Sequence, residues 1–189
     1  MSQNLHGRFI RPEESLLFLV DLQSVMLDLC VHKDRVVNNV VALLDMAAVL
    51  NIPVLFSQHN AEKLGGFLPE LTAKVADPVI LDKVEFSCFE NEAMARAVSG
   101  SGRKTLVLAG IESHVCIFHT GAHGVRLGYT VHVVSDAVTS RSEHNWQIGL
   151  QRLDRAGAVI TSTEMVCFEW LNRAGTAQFR KALPILKRF

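Results

Sequence analysis

Residues 105–127 read TLVLAGIESHVCIFHTGAHGVRL. The first five form a short apolar run, the mark of a strand covered on both faces. After Gly110 the pattern changes, and a helix is expected from about Ser113 to about Leu127. A strand feeding a helix through a short turn is half of a βαβ unit, which builds parallel sheets.

The same alternation extends in both directions. Strands are expected at 15–20, 53–57, 79–81, 129–135 and 158–161. Helices are expected from Asp34 to Leu50, from Phe89 to Val98 and through Trp146, Leu150 and Leu153. A further helix opens on the capping-box pattern Thr161-x-x-Glu164. The fold class is therefore α/β: helices on both faces of a six-stranded, mostly parallel sheet. Residues 1–189 are read as one domain, with 175–189 as a C-terminal tail.

Composition narrows the function. Lys+Arg and Asp+Glu are both 19, so net charge is zero and binding of nucleic acid or anionic membrane through overall charge is not expected. No apolar run reaches the length of a bilayer span, and the first residues lack a signal-peptide core. The four cysteines are widely spaced, with no C-x-x-C pair. A cytoplasmic location is expected. Charged residues make up 20% and the AVILMFWYC share is 49%. On the set that counts glycine and omits tyrosine the apolar share is about 55%, above the usual 45–50%.

In parallel α/β sheets chemistry sits beyond the carboxyl ends of the strands. Asp21, Gln58, His59, Lys83, residues 110–116 and Asp136 occupy those ends. Cys116 is expected near a helix N-terminus, where the dipole and free N–H groups favour a thiolate. Asp21 breaks an apolar run, where a carboxylate needs a partner or a purpose. It could exchange a proton with the thiol, while Lys83 would supply positive charge and lower the thiol pKa.

Five stretches carry a resemblance to a known family: GRFIRPEESLLFLVDLQ (7–23), LDKVEFSCF (81–89), AGIESHVC (109–116), GYTVHVVSDAVTSRS (128–142) and RAGAVITSTE (155–164). The chain resembles the isochorismatase-like cysteine hydrolases, in particular the isochorismatase-domain-containing subgroup. The resemblance implies a catalytic triad of Asp21, Lys83 and Cys116 and a sheet order of 3-2-1-4-5-6. It also implies a cis peptide at Ile111–Glu112, turning the Glu112 N–H beside that of Cys116 to form an oxyanion hole. Gln23, His59, Phe86 and Ile111 are candidates for the substrate pocket. Nicotinamidases in this family hold a metal through an Asp and two His after the second strand. Here SQHNAEKLGGF (57–67) offers only His59, so neither metal nor cofactor is expected.

Cys116, His119 and His123 share a helical face at a spacing that could hold zinc or give a Cys–His pair, but that also suits a helix packed on a sheet. The expected function is hydrolysis of a small amide or ureido compound through a thioester. A non-catalytic scaffold and vinyl-ether hydrolysis are the alternatives. The apolar surplus falls on the helix from Asp34 to Leu50 and on Phe179, Leu183, Ile185, Leu186 and Phe189. Pro184 is expected to break a long helix there, and the surplus reads as the interface of a homo-oligomer.

Overall fold

The computed structural model describes residues 9–189, so Gly7 and Arg8 of the opening motif lie outside it. In chain order, a 3-10 turn (Pro12–Glu14) leads into β1 (Ser15–Val20), α1 (Ser24–Leu27) and α2 (Lys33–Leu50). Next come β2 (Val54–His59), α3 (Ala61–Leu64), α4 (Pro69–Thr72) and β3 (Val79–Lys83). A 3-10 turn (Cys88–Glu90) precedes α5 (Glu92–Gly100), β4 (Thr105–Ile111) and α6 (Cys116–Arg126). The chain continues through β5 (Thr130–Thr139), α7 (Glu143–Arg155), β6 (Val159–Thr161), α8 (Thr163–Leu171) and α9 (Ala177–Leu186).

All neighbouring strands are parallel, and their order is β3-β2-β1-β4-β5-β6. Alternation along each strand divides the interior into two apolar layers. Leu17, Leu19, Phe56, Val107, Ala109, Ile111 and Val134 face one layer, covered by α2, α8 and α9. Leu16, Phe18, Leu55, Leu106, Leu108, Val131 and Val133 face the other, together with Met94, Ile117 and Leu153 from α5, α6 and α7. The order reverses between β1 and β4, both buried along their whole length.

Two expectations need correction. Residues 177–186 form a helix that continues past Pro184, with Ala182 and Ile185 buried and the whole element packed on α2. Proline removes one N–H, but an apolar face seated on a core retains the turn. That contact also covers part of α2, so much of the apolar surplus is satisfied within one chain. The cap of α8 is Ser162, whose hydroxyl accepts from the Met165 N–H, one residue later than the expected Thr161.

Candidate active site

Four strand ends meet where the order reverses. Asp21, the residue after β1, adopts φ 55°, a left-handed turn that aspartate tolerates better than most residues. Gly110, at φ 124°, lets β4 approach there: a Cβ on it would lie 2.0 Å from the Val20 carbonyl oxygen. The Ile111–Glu112 peptide is cis, and Cys116 opens α6. Among the described residues, neither the Glu112 N–H nor the Cys116 N–H donates to another protein group.

Asp21, Lys83 and Cys116 come together. The Lys83 ammonium donates to Asp21 Oδ2 at 2.6 Å and to Cys116 Sγ at 3.6 Å, and the carboxylate and ammonium are both sealed from solvent. Ser57 Oγ donates to the other carboxylate oxygen at 2.8 Å, so both oxygens are engaged. Burial pushes the lysine toward its neutral form, but the Asp21 carboxylate, through its charge and its hydrogen bond, outweighs it and holds the lysine pKa above the ordinary value.

The Cys116 thiol is pushed up, first by burial and then by Asp21, with Lys83 pulling the other way. This corrects the expectation of a depressed thiol pKa. Beside a carboxylate and out of water, the helix terminus and the lysine do not carry the thiol into its ionised form. The raised pKa favours a protonated sulfur beside the Asp21 carboxylate. Cys88, Cys30 and Cys167 are buried free thiols as well, and burial is the main reason Cys88 stands at about 11.

The Isochorismatase domain family model matches residues 15–165. The chain belongs to the isochorismatase family. A secreted isochorismatase effector from Phytophthora sojae is 34% identical over 96% of this chain and 88% of its own length. The solved structure of MAR1 ribonuclease from Caenorhabditis elegans has a TM-score of 0.89 at 27% identity, covering 95% of this chain and 93% of that one. The YcaC gene product of Escherichia coli, described as an octameric hydrolase of unknown specificity, has a TM-score of 0.87 at 25% identity, covering 96% and 94%. The family and these neighbours support hydrolase activity. No helix among the described residues is long and apolar enough to cross a membrane.

Other residues singled out in this isochorismatase-family chain fall differently. Gln23 is buried and its amide is taken up: Nε2 donates to the His59 and Gly65 carbonyls, and Oε1 accepts from the His59 N–H. It fastens the loop after β2 and has no free polar atom for a ligand. Ile111 is fully buried in the apolar layer against α2, because alternation along β4 turns its side chain to that face. Phe86 is half exposed and stacks on the His59 ring at 5.9 Å and 10°. His59 Nδ1 lies 3.3 Å from Lys83 Nζ.

Ligand atoms of Asp21, His59 and Cys116 lie within 4.8 Å of one another, a set that could hold a metal ion, and Lys83 bonds to all three. His119 and His123 are not part of that set among the described residues, and His123 Nδ1 instead meets Ser87 Oγ at 3.0 Å. The segment after β5 ties the cis-peptide turn in place. Arg141 forks onto the Glu112 carboxylate at 3.0 and 2.7 Å, while Ser140 Oγ meets both Ser113 Oγ and His114 Nδ1. Ser57 and Ser140 escaped the sequence reading. The one hint for Ser57 was a hydroxyl at the end of an otherwise apolar strand.

Proposed function

We propose that this chain is a cysteine-dependent hydrolase of small amides or ureido compounds, working through a thioester. The observation that carries the reading is the buried Lys83 ammonium bonded to both Asp21 and Cys116 where four strands converge. A protonated thiol needs a base at the moment of attack, and Asp21 is the carboxylate within reach. As sulfur attacks the carbonyl carbon, its proton passes to Asp21, and the N–H groups of Glu112 and Cys116 receive the oxyanion. Asp21 then protonates the departing amine, leaving an acyl group on Sγ. Water, giving a proton to Asp21, attacks the thioester. The acid leaves and the thiol recovers its proton. Lys83 balances the negative charge throughout, and no cofactor or metal enters any step.

Phe86 and His59 are proposed to line the entrance. A cytoplasmic location is proposed, supported by four cysteines that all stay free, although one relative is described as secreted. A homo-oligomer is proposed as well, supported by the octameric relative and by exposed Val25, Leu29, Val84 and Phe86 near the strand ends.

The test is a panel of small amides, ureido acids and vinyl ethers, followed by ammonia or acid release. Cys116→Ala is expected to abolish both turnover and iodoacetamide labelling at that position. Full amidase activity in that variant rejects the mechanism, while silence across the panel with an unreactive Cys116 favours a scaffold. The ribonuclease neighbour supports a second reading, so an RNA oligonucleotide belongs in the panel. Its cleavage at equal rates by the native chain and Cys116→Ala would favour that reading over the thioester route.

A further inference from the structure

A buried lysine ammonium has three N–H donors and no acceptor, and each donor left unpaired away from water costs free energy. Three acceptors surround Lys83 Nζ: Asp21 Oδ2 at 2.6 Å, His59 Nδ1 at 3.3 Å and Cys116 Sγ at 3.6 Å. They come from the ends of β1 and β2 and the start of α6, while Lys83 itself ends β3. The thioester mechanism uses two of them and gives the third no chemical step.

The His59 imidazole is held from several directions. His59 pairs with Lys83 across the β2–β3 ladder, which points both side chains to one face. Its N–H donates to Gln23 Oε1 at 2.6 Å, its carbonyl accepts from Gln23 Nε2 at 3.0 Å, and its ring stacks on Phe86. An ammonium can only donate, so His59 Nδ1 must accept and the ring proton must sit on Nε2. The surrounding charges agree: burial and Lys83 lower the His59 pKa, and Asp21, Asp82 and Glu85 pull it back without reversing the shift.

We propose that His59 is a positioning residue that completes a three-acceptor cage around the Lys83 ammonium and so holds it between Asp21 and Cys116. Its effect on chemistry rests on the reading of Cys116 as the nucleophile. Without the third acceptor, the ammonium is drawn onto the carboxylate at 2.6 Å and away from the sulfur at 3.6 Å. The thiolate that forms during attack then loses much of its counter-charge.

Two measurements test this on the full chain. Nitrogen-15 NMR of the histidines at pH 7 is expected to show His59 as the Nε2–H tautomer, with an Nδ1 signal that moves in Lys83→Met. An Nδ1–H tautomer, or a signal indifferent to Lys83→Met, overturns the cage. The second readout is the iodoacetamide labelling rate of Cys116 at pH 7. His59→Phe keeps the stacking on Phe86 but removes the acceptor, and is expected to slow labelling at least fivefold. His59→Asn places Oδ1 near the position of Nδ1 and is expected to stay within twofold of the native rate. A native rate in His59→Phe, or equal slowing by His59→Asn, overturns the positioning role. A native Cys116 that fails to label rejects the proposed function instead, and the tautomer measurement then decides the cage.

Discussion

Under the proposed mechanism, replacing Asp21 with Asn should make Cys116 more reactive toward an alkylating agent while abolishing hydrolysis. The acceptor atoms of Asp21 and Cys116 lie within 4.8 Å of one another. At an effective dielectric of about 20, two unit charges at that distance repel by roughly 3.5 kcal/mol. That corresponds to about 2.5 pKa units on the thiol. Asn removes the repulsion and leaves Lys83 as the charge nearest the sulfur, so the thiolate fraction at pH 7 rises. A less basic thiolate is a poorer nucleophile, with a Brønsted slope of about 0.5, which cancels about half of the gain in logarithmic units. The net expectation is labelling by iodoacetamide roughly 10–20 times faster at pH 7, read by intact mass, with amide turnover lost for want of a base.

Lys83→Met should act in the opposite direction, because the ammonium is what lowers the thiol pKa. Either variant leaves a buried charge without its partner, so thermal unfolding must first show a folded chain. The double variant Asp21→Asn/Lys83→Met removes both charges and provides the reference. Slower labelling in Asp21→Asn, or shifts of the same sign in both single variants, would refute the electrostatic reasoning.

Two further predictions concern stability. His132 is buried in β5, neither ring nitrogen has a hydrogen-bond partner among the described residues, and burial lowers its pKa to about 4. An unfolded histidine titrates near 6.5, so this contribution is complete above that pH and is lost as pH falls toward about 4. Urea titrations should show a loss of about 2 kcal/mol on going from pH 7 to pH 5, and His132→Leu should flatten that dependence; an unchanged slope would refute the assignment. Gly110→Ala forces a Cβ against the Val20 carbonyl from a backbone conformation that L-residues rarely adopt. A loss of at least about 3 kcal/mol is expected, seen as a melting temperature lowered by roughly 6–12 °C, and a drop of under about 2 °C would contradict the close approach.

The strands were legible because β1 and β4 are buried along their whole length and carry apolar runs, while in β5 three valines within four residues left the signal. Strand ends were harder to read. β2 runs on to His59 and β3 to Lys83, and these extra residues are the ones that deliver site groups. The short helices α1, α3 and α4 left no periodic signal in four residues each. The left-handed turns at Asn51 and Asn60 are of a kind asparagine tolerates, but nothing nearby in the sequence marks where they fall.

The sequence by itself determined the alternation of elements, the parallel sheet and, through the motifs that resemble the family, the approach of Asp21, Lys83 and Cys116. The alternation and the parallel sheet follow from periodicity, a local property, whereas the approach of the three residues is what the resemblance implies. Tertiary structure alone decided how those groups bear on one another. The pKa of a thiol depends on which charges face it and how much water reaches it, and both are set by segments remote in the chain. Burial and Asp21 hold Cys116 protonated where its helix position alone favoured a thiolate. In the same way, α9 covers α2 with residues that in sequence looked free for a partner, and the end of β2 sets His59 beside the lysine.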